Sequence, residues 1–487
     1  MKKSLVAAIL AMFAGISFAD VKLPAIFGDN MVLQQQSKAA VWGWAAAGEK
    51  VTVKGSWMWL PVSTKADKDG NWQVKIKTPR AGGPYTLTIQ GNNKITLANV
   101  LSGEVWICSG QSNMQWTVGQ SDNAKKEIAA AKYPTIRLFT VSRVFTPEPQ
   151  KNCTGNWVEC NPNTVGGFSA AGYFFGRDLH QKLNVPVGLV DTSWGGTPAE
   201  AWTSEETLKQ FNGYEPIIKA FQGPEPVAEP NVPVKKFNQN TPTALYNGMI
   251  APLVPFHIAG AIWYQGESNI GRSAEYATLF PAMITDWRKH WGIGDFPFYY
   301  VQIAPYSYGN NDASFSAYLR EAQLKSLSAV KNVGMAVATD IGMEKDIHPT
   351  NKQDVGKRLA LWALTKTYNK KIDSFSGPLY KSMKIENNRI RLFFDTYGEL
   401  SAREGHLSEF IIAGEDKAFV PASAEIDGDS VVVWSDQVQK PVAVRYAWKN
   451  WTTGSLFNKA GLPASSFRTD DWKDNPEGPV SIDNYRN

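Results

Sequence analysis

Residues 104–116 read EVWICSGQSNMQW, and the fold of the chain turns on how that stretch is understood. Val105, Trp106, Ile107 and Cys108 are apolar and β-prone, the composition of a short buried strand. The run stops at Ser109-Gly110-Gln111-Ser112-Asn113, small polar residues that make a tight turn. A strand that ends in such a turn, with polar side chains and free backbone N–H groups, is where open α/β sheets place their chemistry. Ser112 is therefore the candidate nucleophile.

Outward from it, the same grammar recurs over residues 99–371. VGLVD runs into Thr192-Ser193-Trp194-Gly195-Gly196, IAGAIWY into Gln265-Gly266-Glu267-Ser268-Asn269, and VGMAVATD into a polar run ending at His348. Helical spacing follows, for example Val355, Leu359, Trp362 and Ala363 between Gln353 and Lys370. Strands alternating with helices argue for a mainly parallel sheet covered on both faces. A Pro-rich segment, Pro216 to Pro242, reads as an irregular surface excursion.

The flanks differ. Residues 20–98 carry VWGWA, KVTVKG, NWQVKIKT and YTLTI between turn signals, which predicts a small N-terminal β-sandwich. Its tryptophans (Trp42, Trp44, Trp57, Trp59, Trp72) suit either sugar binding or core and edge packing. Residues 372–487 return to β patterns (RIRLFF, EFIIAG, SVVVWS, AVRYAW) and predict a second β-rich module. Its closing GLPASSFRTDDW has no periodicity and is a candidate to pack back on the middle domain.

Residues 1–19, MKKSLVAAILAMFAGISFA, have a basic start, a short apolar run and small residues before Asp20, the pattern of a secretory signal cut after Ala19. The run is too short for an anchor, and no later stretch is apolar enough to span a bilayer. The mature chain is expected to be soluble and exported, to the periplasm or beyond. Losing Lys2 and Lys3 lowers the net charge by two, from +5 to +3, with no basic stripe, so neither nucleic acid nor membrane insertion is expected. No obligatory protein partner is implied. Of the three cysteines, Cys108 lies in the buried strand, while Cys153 and Cys160 are close enough in sequence to bridge in an oxidising compartment. No Cys-x-x-Cys or His-x-x-x-His spacing points to a metal, and no cofactor is expected.

A serine needs a base to remove its proton, and the base needs orienting. Among five histidines, His180 and His290 fall in helix-like runs, His257 in an apolar connector and His406 in the late β-module. His348 alone follows a predicted buried strand of the same domain as Ser112. Asp346 sits at i−2, on the same side of an extended chain, and could hold the imidazole; Glu267, at the end of another strand, is its rival. Donors for an oxyanion are the Ser112 amide, a backbone N–H of Gly195-Gly196, and the carboxamide of Gln265 or Asn269. Ser193 and Ser268 are competing nucleophiles with no neighbour that singles them out. Met114 replaces the second glycine of a Gly-x-Ser-x-Gly elbow, which argues against a conventional α/β-hydrolase.

Taken together, FGDNMVLQ (27–34), VWICSGQSNMQW (105–116), GLVDTSWGGTPAEAW (188–202), LYNGMIAPL (245–253), GAIWYQGESN (260–269), DIHPTNKQDVGKRLAL (346–361) and GLPASSFRTDDW (461–472) resemble the SGNH, or GDSL-like, hydrolases, in their sialate O-acetylesterase branch. The resemblance covers nearly the whole mature chain. It implies an α/β fold, a flavodoxin-like three-layer αβα domain with accessory β-sandwich modules at both ends. It also implies Ser112 as nucleophile, His348 as base, and an oxyanion hole from the Ser112 amide, the Gly195-Gly196 turn and Gln265. One departure stands out: such enzymes place Asp three residues before the His, where this chain has Lys345, so the orienting role falls to Asp346, to Glu267 or to neither. The activity implied is metal-free hydrolysis of O-acetyl esters of carbohydrates through an acetyl-enzyme, O-acetylated sialic acids first and acetylated xylan or another glycan second. A glycan-binding module without activity and an acyltransferase using the same residues are the readings from other classes.

Overall fold

One strand, β1 (Lys94–Gly110), runs through two parts of the molecule. Its first half pairs antiparallel with Gly82–Gln90, and its middle runs parallel to Val32–Gln34, so it belongs to the N-terminal β region. Its second half is the centre of the α/β sheet, and every residue from Leu101 to Gly110 is buried. The 98/99 boundary expected between the first two domains thus falls inside a single strand. The computed structural model describes residues 20–222 and 236–472; the leader expected over residues 1–19 lies outside the described residues.

The central sheet adds β2 (Tyr133–Thr140), β3 (Trp157–Cys160), β4 (Val187–Ser193), β5 (Gly260–Tyr264), β6 (Phe298–Val301) and β7 (Val333–Ala336), in the spatial order β7-β6-β5-β1-β4-β2-β3. All neighbours are parallel except β2 and β3. Without that edge pair, the remaining five strands, taken in chain order, lie 2-1-3-4-5 across the sheet.

Alternation along the strands explains the layers. Val105, Ile107, Ala261, Trp263, Phe298 and Tyr300 share one apolar cluster with Tyr276, Leu279, Met283 and Trp287 of α3 (Ser273–Trp291) and Leu319 of α4 (Phe315–Ala329). Trp106, Cys108, Ile262, Tyr264, Tyr299 and Val301 share another with Phe174, Phe175 and Leu179 of α2 (Ala170–Leu183) and Val355, Leu359 and Trp362 of α5 (Lys352–Trp362). A strand apolar on both faces must be covered on both, so the continuous hydrophobic runs in the sequence become a three-layer α/β/α core. α5 passes into a π-helical turn, Ala363–Thr367, near the end of the expected helix.

The Pro-rich excursion needs correction at its start. Tyr214–Gln222 is a helix, because Tyr214, Ile217 and Ile218 recur on one buried face. The three thiols are buried and free, and burial pushes Cys153 up to about 11 and Cys160 to about 12.

The C-terminal region builds two four-stranded sheets around their own core, which includes Ile390, Leu392, Val431, Val433, Val444, Tyr446 and Phe467. Its closing stretch adds a strand and also returns to the α/β layer. Phe467–Arg468 pairs with Ala443–Tyr446, while Gln302 donates to Ser465 Oγ at 2.8 Å and Arg320 to Ser466 Oγ at 2.9 Å.

Candidate active site

The turn after β1 is made possible by Gly110, whose φ of +138° and position against the Tyr264 backbone leave no room for a side chain. The chain can then cross the end of β5 and start the one-turn helix α1 (Ser112–Gln115) with Ser112 half-buried at its first residue. Asn113 and Met114 anchor the turn inward, buried at 1% and 0% exposure. The Ser112 amide has no hydrogen-bond partner among the described residues. Gly195 packs against Ser112: a Cβ there would lie 3.1 Å from Ser112 Cβ. Its N–H donates to Gln115 Oε1 at 2.7 Å, and Gly196 beside it is exposed, with φ +74°.

His348 comes from the loop between β7 and α5 and stands on the same rim. Its ring stacks on Trp116, centroids 5.0 Å apart and planes at 16°, and its Nδ1 lies 3.2 Å from Asp346 Oδ1. The same carboxylate oxygen accepts the His348 backbone N–H at 2.9 Å, so the short spacing makes a turn that presents the acid to the ring. The stacking on Trp116 fixes the ring plane.

Glu267 lies in a different network. Its Oε1 accepts from Asn113 Nδ2 at 2.7 Å; the same amide group donates to the Ile347 carbonyl at 3.0 Å, and Lys352 Nζ donates to Asn113 Oδ1 at 2.6 Å. Asn113 therefore ties the residue after Ser112 to the residue before His348. Burial raises the Glu267 carboxyl above its ordinary value, against the pull of Asn113 and Lys352, and Glu267 Oε2 is shut from solvent without a partner among the described residues. Burial also lowers Lys352 to about 7, and its Nζ sits over the rings of Trp116 and Tyr264.

The structure does not bring Gln265 to the surface of the site. Its carboxamide is fully buried, and its two N–H groups go to Asn269 Oδ1 at 2.6 Å and the Thr197 carbonyl at 3.3 Å. Asn269 is occupied as well, donating to Glu200 and accepting from the Ala199 amide. These side chains hold the loop that carries Gly195-Gly196 instead of facing a reactant. Ser193 is buried and bonded to Asp191, which removes it as a rival nucleophile; the Ser268 amide donates to Gln111. Sequence reasoning missed Trp116, Gln115, Asn113 and Lys352 as parts of the site. A signal did exist for Lys352, a lysine at the first turn of a helix that starts four residues after the histidine.

Against this geometry, comparison with known proteins gives one answer. Residues 102–365 match the family model described as carbohydrate esterase, sialic acid-specific acetylesterase. The chain belongs to that family. It is 32% identical to sialate O-acetylesterase of Rattus norvegicus, over 90% of this chain and 91% of that one, and 32% identical to the Homo sapiens protein of the same name, over 90% and 89%. A crystal structure of a carbohydrate acetylesterase from Xanthomonas citri superposes with a TM-score of 0.84 at 38% identity, covering 93% of this chain and all of that one. The chain is an enzyme of the carbohydrate O-acetylesterase class. Among the described residues no helix is long and apolar enough to cross a membrane.

Removing the Lys352 amine is a direct check on the network below the site. Lys352→Met leaves Asn113 Oδ1 buried without its donor and is expected to cost about 1–3 kcal/mol, read by chemical denaturation. Because the folded-state value of Lys352 lies below its unfolded value, the unfolded chain holds more protons between about pH 7 and its ordinary 10.5. The stability of the parent relative to Lys352→Met therefore rises with pH across that window; a flat or falling difference contradicts the assignment.

Proposed function

We propose that this chain is an exported serine esterase of the SGNH type that removes O-acetyl groups from glycans, with O-acetylated sialic acids as the leading substrate. The observation that carries the reading is the juxtaposition on one sheet rim of Ser112, packed against the Gly195 turn, with His348, stacked on Trp116 and held by Asp346. The 2-1-3-4-5 strand order supports the flavodoxin-like assignment, since such sheets place ligands beyond the carboxyl ends of their strands. The name shared by the mammalian relatives supports sialic acid over xylan.

In this mechanism His348 takes the Ser112 proton as Oγ attacks the acetyl carbonyl carbon, forming a tetrahedral intermediate. The Ser112 amide and the exposed Gly196 backbone receive the oxyanion. Collapse expels the sugar oxygen, which takes the proton back from imidazolium, leaving acetyl-Ser112. Water, deprotonated by His348, then attacks the acetyl carbon, and collapse breaks the ester bond to Ser112, whose Oγ takes the proton back from imidazolium as acetate leaves. Asp346 orients the ring and stabilises its charged form, while the Asn113 network keeps the two loops in register.

Acetate release from O-acetylated sialic acids and from acetylated xylan tests the reading. Faster release from the sialic acid esters is expected; acetate from neither substrate refutes it, and preference for xylan transfers the substrate to the second reading. Asp346→Asn is expected to lower kcat about tenfold or more, whereas Glu267→Gln keeps an acceptor for Asn113 and is expected to stay within about threefold. The reverse order of those two variants assigns the orienting role to Glu267. Export is checked by mass: protein recovered from the periplasm or medium is expected to begin at Asp20, and an intact Met1 rejects the leader assignment.

A further inference from the structure

The tryptophans of the N-terminal region are not absorbed by the active site. Trp57 packs edge-on against Tyr85, and Trp59 is 91% exposed on its own. Trp42, Trp44 and Trp72, by contrast, come from the paired strands Lys38–Trp44 and Asn71–Lys77 and line a cavity of about 730 Å³. Its opposite wall is the α/β body, with Tyr246 and His290, whose rings meet edge to face at 5.3 Å. The carboxamides of Gln73 and Gln150 also line it, and charged groups, Asp67, Lys151, Glu205 and Glu206, stand among the remaining lining residues.

None of Ser112, Trp116, Gly195 or His348 borders this space. α3 begins six residues after Glu267 and carries His290 in its last turn. At 1.5 Å per residue, the first turn of that helix and His290 are on the order of 25 Å apart.

The chemistry of the wall selects a ligand. Indole faces suit the flat C–H surfaces of sugar rings, and carboxamides and carboxylates at the edge suit their hydroxyls. The volume lies within the roughly 300–1,000 Å³ of small-ligand sites. We propose that this cavity is a second saccharide site, which takes uncharged sugar units of the glycan whose acetylated units are presented to Ser112. The ligand class follows from the carbohydrate esterase family; the geometry is independent of the catalytic assignment. A remote site of this kind converts a weak encounter with a long glycan into a held one by raising the local concentration of esters at the rim.

The test titrates the full chain with unacetylated xylohexaose and with an N-acetyllactosamine tetrasaccharide, following indole N–H signals by NMR and heat by calorimetry. Saturable binding of at least one is expected, with Kd raised about tenfold or more in Trp44→Ala and in the milder Gln73→Ala, whose side chain is on the exposed side of its strand. Turnover of p-nitrophenyl acetate, too small to bridge the two sites, is expected to stay unchanged in both variants and so reports that they are folded. The proposal is overturned if neither saccharide binds at up to about 10 mM, or if binding persists undiminished in folded Trp44→Ala and Gln73→Ala. Absence of p-nitrophenyl acetate turnover in the parent would instead strike the esterase mechanism and leave the binding result to be read by itself.

Discussion

Ser112→Ala is expected to release acetate at least about 100-fold more slowly than the parent, and His348→Ala to lose a similar factor. The alanine at 112 removes the oxygen proposed to attack while leaving the anchors of its turn, Asn113, Met114 and Gly110, untouched. Ser112 Oγ makes no hydrogen bond to another described residue, so the melting temperature should not move with activity. His348→Ala removes the proposed proton acceptor and also uncovers Trp116. If the two residues act as a unit, the double variant is no slower than either single one, because the second deletion has nothing left to disable. Initial rates of acetate release measure all three. A Ser112→Ala chain that keeps the parental rate removes the serine mechanism outright, whichever sugar is used.

Gly110→Ala should be among the more damaging single methyl additions at the described glycines. A Cβ there would meet the carbonyl oxygen, carbonyl carbon and nitrogen of Tyr264 at less than 3.0 Å, all of them backbone atoms of a central strand. Its φ of +138° is also one that L side chains rarely adopt. The β1–β5 ladder cannot yield without breaking the pairing of Tyr264 with Gly110, so a loss of about 4 kcal/mol or more is expected, read as lost soluble yield or a collapsed melt. Gly196→Ala is the control. Its φ of +74° is equally left-handed, but nothing lies within 4 Å of the added methyl, so only the conformational cost of about 1–2 kcal/mol remains. Equal effects of the two substitutions would show that close approach is not what the glycine at 110 supplies.

The strands carrying the site could be read in the sequence because they are buried on both faces, and such runs are continuously apolar. Ser112 and His348 were legible for the same reason: each follows one of those runs, which is a local signal. The inward packing of Gln265 was not legible, because a polar residue after a strand looks alike in sequence whether it faces a reactant or a neighbour. Its partners, Thr197 and Asn269, settle that choice, and one of them is far away in the chain. Trp116 against His348 and Asn113 against Lys352 span more than two hundred residues, beyond any periodicity. The helix at Tyr214–Gln222 was hidden by proline, which is tolerated in a first turn, where Pro216 sits.

The strand that carries Gly110 begins at Lys94, among partners from the N-terminal β region, and this has a bearing on how the protein can change over time. An exchange of that region for another would have to splice inside a hydrogen-bonded ladder, not at a linker. The outer sheet and the hydroxyl at its far end are inherited as one piece, and a selective pressure that reshapes the first is felt along the same backbone by the second.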